Sequence, residues 1–98
     1  MNRTEAVERL KAFAGALKER GATSLYLYGS TAGDQAGTRS DLDLFLDYDP
    51  QSRFNAFDLV AARRLLQDGM GLDVDLTTRA GLHPLIRERI ETEAVRIF

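Results

Sequence analysis

The stretch Leu25–Pro50, LYLYGSTAGDQAGTRSDLDLFLDYDP, decides how this chain folds. Ser24 to Tyr28 is short, aromatic and suited to extended backbone, and it stops at Gly29, which predicts a strand. Residues 29–40 form a glycine-rich loop, with glycines at 29, 33 and 37. Asp41 to Tyr48 then alternates, sending Leu42, Leu44 and Leu46 one way and Asp41, Asp43 and Asp47 the other, the pattern of a half-buried strand. Pro50 ends it.

On either side of this strand–loop–strand unit the period changes. Thr4 to Arg20 carries Val7, Leu10, Phe13, Ala14 and Leu17 at helical spacing, with Thr4 as the expected N-cap and Gly21 as the stop. Phe54 to Gln67 returns to that spacing through Phe54, Phe57, Ala61 and Leu65. Leu72 to Thr78 alternates again, Leu72, Val74 and Leu76 opposing Asp73, Asp75 and Thr77. A last helix is expected from Leu85 to about Ala94, with Pro84 in its first turn. Val95 to Phe98 is too short to assign. The order helix, strand, strand, helix, strand, helix predicts an α/β or α+β domain with one small sheet. No repeat, low-complexity tract or linker interrupts it.

Ninety-eight residues, 44% of them apolar, predict one domain over 1–98 with a modest core. A domain this small often leans on a partner, so an oligomer or heterocomplex is expected. The net charge of −2 lacks the basic footprint of a protein that grips nucleic acid, and no direct nucleic-acid contact is expected. The absence of cysteine removes disulfides, thiolate chemistry and cysteine zinc sites. No apolar run reaches the roughly 18 residues of a membrane span. The polar start, Asn2 to Glu5, is unlike a signal peptide, so a cytoplasmic protein without membrane contact is the expectation.

The acidic strand faces carry the chemistry. In Asp41-Leu42-Asp43 the two carboxylates lie on one face with Cα atoms roughly 6.5 Å apart, close enough to share one metal or bridge two. Asp75 repeats the pattern on a separate strand, with Asp73 beside it. Three such acids offer the hard oxygen ligands that Mg²⁺ prefers. Two ions about 3.5–4 Å apart would stabilise the attacking and leaving oxygens of an in-line phosphoryl displacement. Gly29-Ser30 supplies the other half: glycine lets backbone N–H groups approach an anion, and Ser30 adds a hydroxyl. Asp-x-Asp alone is common on solvated strands, and Gly-Ser alone is usually a turn. Together, at this spacing, they match by chance about once in a thousand chains of this length.

Other residues read more plainly. His83, the single histidine, precedes Pro84 and suits the start of a helix rather than catalysis. Tyr26 and Tyr28 fit packing, although Tyr28 is near enough to the loop to touch a nucleotide. Asp47 and Asp49 are expected to be solvated. Arg63, Arg64, Arg87, Arg89 and Arg96 read as helix faces turned to water, one of which could meet an acidic partner.

The Gly-Ser, ten residues, Asp-x-Asp run resembles the signature of the polymerase-beta-like nucleotidyltransferase superfamily. Within it, the chain is similar to the MNT-type minimal nucleotidyltransferases, the antitoxin-associated group. FDL at Phe57–Leu59, VDL at Val74–Leu76 and the closing LHPLIRERIETEAVRIF extend the likeness over nearly the whole chain. The resemblance implies a small mixed sheet flanked by helices and Mg²⁺-dependent transfer of a nucleoside monophosphate. It assigns Gly29 and Ser30 to phosphate binding and Asp41, Asp43 and Asp75 to the metal, Asp75 also helping to deprotonate the acceptor. Two positions depart from the pattern. Gly33-Asp34 stands where many relatives carry Arg-Gly, leaving Arg39 or a partner residue to supply a cation; Asp73 stands where a basic residue is common.

The resemblance further implies ATP as substrate and a HEPN-type toxin as partner, with AMP moved onto a toxin tyrosine and the chain acting as antitoxin. Modification of that kind adds negative charge and bulk beside an RNA-cutting site. Three alternatives stay open: an antitoxin that neutralises by contact alone, transfer to a small molecule, and transfer to RNA. The last two would need an acceptor pocket from a partner chain.

Overall fold

The computed structural model describes residues 2–29 and 42–98. Their elements are α1 (Arg3–Lys11), α2 (Ala14–Glu19), β1 (Ala22–Tyr28), β2 (Leu42–Tyr48), α3 (Ala56–Met70), β3 (Val74–Thr78), a 3₁₀ turn (Arg79–Gly81), α4 (Arg87–Glu93) and β4 (Val95–Arg96). The strands form one mixed sheet in the order β3-β2-β1-β4. Strand β1 is antiparallel to β2 and β4, whereas β2 and β3 run parallel. Parallel neighbours need a crossover, and α3 provides it.

Strand alternation divides the sheet into two faces. Leu25, Leu27, Leu42, Leu44, Leu46 and Val74 are fully buried on one, against Leu10 of α1, Leu17 of α2, and Ala62 and Leu66 of α3. Asp43, Asp47 and Asp75, with Tyr26 and Tyr28, fall on the other face. The mixed α/β architecture expected from the sequence is therefore present, with the core on the helical side and the polar chemistry opposite. Among the described residues, no helix is long and apolar enough to cross a membrane.

Several boundaries differ from the sequence expectation. The first helix is capped not by Thr4 but by Asn2, whose Oδ1 accepts from the Glu5 N–H at 2.9 Å. It is two helices, broken at Ala12 and Phe13, where the Phe13 N–H bonds back to Leu10 at 3.0 Å. The break turns the Phe13 ring onto α3, where it fills the space that a side chain at residue 69 would need; an ideal Cβ on Gly69 would stand 2.3 Å from the ring. Gly21 stops α2 as expected, at φ 113°.

Helix α3 starts on an Asn55–Asp58 capping box and buries Ala62, Leu66 and Met70. Of the expected stripe, Phe54 and Leu65 pack against the edge of the core, whereas Phe57 is 86% exposed and the helix centres its buried face elsewhere. Both stripes have helical spacing, and only packing against the sheet separates them. Helix α4 begins at Arg87, after a turn over 84–86, rather than at Leu85. The unassigned terminus pairs with β1: the Ile97 N–H donates to Leu25 at 2.7 Å and the Leu25 N–H to Phe98 at 3.1 Å.

Candidate active site

Three strands bring two of the sequence-predicted acids, Asp43 and Asp75, to one place beside Tyr28. Cross-strand register sets Tyr28 of β1 beside Asp43 of β2, and Asp43 beside Asp75 of β3. The three side chains form a row on the face opposite the core, at the end of β1 that leads into Gly29. Neighbouring strands lie about 4.8 Å apart, so the carboxylates of Asp43 and Asp75 are close enough for one divalent cation to take an oxygen from each. Ser30 and Asp41 lie outside the described residues. Asp73 precedes β3, and its carbonyl accepts from the Leu42 N–H at 3.2 Å, which helps fix the β2–β3 register.

The row is electrostatically tense. Asp43 is half-buried, and burial first and the Asp75 charge second raise its carboxyl above the usual carboxylate range. Tyr28 is pushed up to about 12 by burial, then by Asp75 and Asp43, so its phenol stays protonated at neutral pH. Among the described residues, neither Asp43 nor Asp75 has an ion pair. A pair of unneutralised hard oxygen donors fits a magnesium ion: its charge would relieve the repulsion that the fold builds in. Among the described residues no group of three acids or histidines is assembled for a metal. The described donors are the pair Asp43 and Asp75.

Gly29 closes the row. Its φ is 78°, a conformation that favours glycine, and an ideal Cβ there would stand 2.6 Å from Asp43 Oδ2. The missing side chain is what lets backbone and carboxylate approach each other. Beside it, Tyr28, Gly29, Ile86, Arg89, Ile90 and Glu93 line an open cleft of about 250 Å³ between the sheet and α4.

A second cluster on the same face escaped the sequence reading. Arg79 forks onto Asp47 with bonds of 2.8 and 2.9 Å and reaches Glu91 of α4 at 2.5 Å. Its guanidinium also lies 5.0 Å from the centroid of Tyr26 and 4.9 Å from that of Phe45. Those rings stack at 4.7 Å, and Phe45 touches Tyr28 at 5.9 Å. Arg79 thus ties α4 to the sheet one layer from the acids. The signal was present: Asp75, Thr77 and Arg79 continue the period-two pattern of β3. Asp47, expected to be solvated, is instead held by this arginine. His83 does what its position suggested, its Nδ1 accepting from the Leu85 N–H at 3.2 Å.

Comparison with known proteins fits this geometry. The family model for the nucleotidyltransferase domain matches residues 10–97. A candidate protein adenylyltransferase of Methanocaldococcus jannaschii is 30% identical over 82 residues, covering 84% of this chain and 86% of the relative. The solved structure of a candidate minimal nucleotidyltransferase superposes with a TM-score of 0.79 at 27% identity, covering 97% of this chain and 95% of that one. A complex of tri-AMPylated Shewanella oneidensis HEPN toxin with MNT antitoxin matches with a TM-score of 0.65 over 94% of this chain and 71% of that one; at 14% identity it speaks to the fold alone. With the family model spanning nearly the whole chain and the mixed sheet superposing on that of a minimal nucleotidyltransferase, this chain belongs to the nucleotidyltransferase domain family, as a minimal, polymerase-beta-like member and a nucleotidyltransferase.

Proposed function

We propose that the chain transfers AMP from ATP to a hydroxyl, a tyrosine, of a HEPN-type partner toxin in the cytoplasm, and so acts as its antitoxin. The 98 residues serve as one minimal domain for this purpose. The observation that carries the reading is the register of Asp43 against Asp75 beneath a left-handed Gly29. The similar M. jannaschii protein supports a protein acceptor, and the toxin complex of the same fold supports the partner class.

Asp41, Asp43 and Asp75 would hold Mg²⁺, as a pair of ions, and the bound metal would supply charge neutralisation for the phosphates. Gly29 and Ser30 bind the leaving pyrophosphate through backbone N–H groups and a hydroxyl. Asp75, the more exposed acid, accepts the proton of the attacking hydroxyl. The acceptor oxygen forms the new bond to the α-phosphorus, and the bond to the pyrophosphate oxygen breaks. Tyr28 keeps its own proton, and so can donate a hydrogen bond without competing as a nucleophile.

The test is calorimetric titration of ATP with Mg²⁺ into the chain and into Asp43→Asn, followed by labelled-AMP transfer to a HEPN-type protein. Metal-dependent binding and transfer, both lost in the variant, are expected. Neutralisation of the partner by Asp43→Asn at full strength would instead point to an antitoxin that works by contact alone.

A further inference from the structure

Helix α3 carries more apolar surface than the fold covers. Leu59, Ala62, Leu66 and Met70 pack toward the sheet, and Leu65 packs against the core with part of its side chain while the rest faces outward. On the opposite side Phe57 and Val60 are 86% and 59% exposed, a heavy exposure for two large apolar side chains three residues apart. With Ala61 and Leu65 they line a groove flanked by Arg20, Arg64 and Asp68. Among the described residues, the side chains of Arg64 and Asp68 make no hydrogen bond or ion pair.

We propose that this groove seats a second copy of the chain, two α3 helices packing antiparallel about a two-fold axis between Ala61 and Arg64. The charges at the two ends of the groove favour this occupant, with Arg20 shared between Asp58 of its own chain and Asp68 of the other copy. Arg20 lies at the first turn of α3, 3.6 Å from Asp58, whereas Asp68 lies in the last turn. A two-fold axis reverses one helix on the other, so Asp68 of each copy meets Arg20 of the other. The same operation sets Val60 against Leu65, twice, and lays Phe57 along the opposing last turn. A parallel pairing would put like charge on like. Because α3 covers the face of the sheet opposite Asp43 and Asp75, both acid rows stay open in the dimer.

Two crossed helices bury less than the about 1,600 Å² of a standard interface, so the dimer forms and dissociates with concentration. The chain has no cysteine, which makes single-cysteine crosslinking clean. Ala61→Cys, treated with a short bismaleimide, is expected to give a covalent dimer. Adding Val60→Asp should abolish it, and Thr92→Cys on α4 should stay uncrosslinked. In sedimentation velocity the native mass should climb from 10.9 kDa toward twice that value, while Phe57→Asp needs at least about tenfold more protein to do so. Circular dichroism checks that each variant folds, and Phe57→Ala repeats the test with a milder change. A native chain that stays monomeric to near-millimolar concentration overturns the proposal. So does equal crosslinking through residues 61 and 92, the outcome expected if the groove instead receives a different protein. None of these readouts depends on nucleotide transfer.

Discussion

Arg79 holds together residues from three elements, and its loss should be felt beyond its own contacts. Replacing it with alanine removes a forked bond to Asp47, a bond to Glu91 and two aromatic faces, and should cost about 2 kcal/mol in urea denaturation. The same pair sets an acid limb. The Arg79 hydrogen bond holds the Asp47 carboxyl below its ordinary 3.8, so its contribution to stability is complete above that value. It is lost as the pH falls through the lowered folded value, because the unfolded chain then binds the extra proton. In Asp47→Asn the urea midpoint should change less between pH 5 and pH 2 than in the native chain. Gly29 answers to a different constraint. Gly29→Ala must place a Cβ 2.6 Å from Asp43 Oδ2 at a positive φ, and should destabilise by about 1–2 kcal/mol while weakening ATP binding, read by calorimetry. Gly29, Asp43 and Asp75 could be singled out from residue type and spacing, and the fold brings these three together, whereas Ser30 and Asp41 lie outside the described residues. Arg79 could not be singled out, because an arginine at a strand end has many ordinary uses and only the folded sheet brings Asp47, Glu91 and two rings to it.

At the scale of elements, legibility follows how much of the choice is local. Strands β2 and β3 were readable because a two-residue period leaves one way to bury leucines, and a register slip would turn every acid inward. The α1–α2 break was not, since it depends on Phe13 finding Gly69 some 56 positions away in sequence. Strand β4 was missed for the same reason: two residues have no period, and their pairing with β1 is a long-range event. Helix α3 is the sharpest case, because Phe57, Ala61 and Leu65 are as well spaced as Leu59, Ala62 and Leu66. A paired substitution measures which stripe matters to folding. Leu66→Ala opens a cavity in the buried face and should cost about 2–5 kcal/mol. Phe57→Ala, on the exposed face, should stay within about 0.5 kcal/mol when denaturation is followed at low protein concentration.

For the molecule as a whole, stability and site oppose each other, and the acid row is where the conflict can be measured. Folding brings Asp43 and Asp75 side by side and partly dehydrates Asp43, so the folded state carries a repulsion that the unfolded chain escapes. The raised Asp43 carboxyl means that this cost is present when both acids are ionised and fades as the pH falls through the raised value, the reverse of the Asp47 case. Asp75→Asn removes one charge and keeps the shape, so without metal or nucleotide it should melt at a higher temperature than the native chain at neutral pH. Adding Mg²⁺ and ATP should reverse the ranking. A ligand at a hundred times its dissociation constant stabilises the native chain by about 2.7 kcal/mol, and the variant, lacking an oxygen donor with charge, should gain little. Thermal melts of both proteins, with and without Mg²⁺ and ATP, check the four values together. If Asp75→Asn melts lower in every condition, the acids contribute to the fold itself, and a row built to wait for a cation is the wrong description of this site.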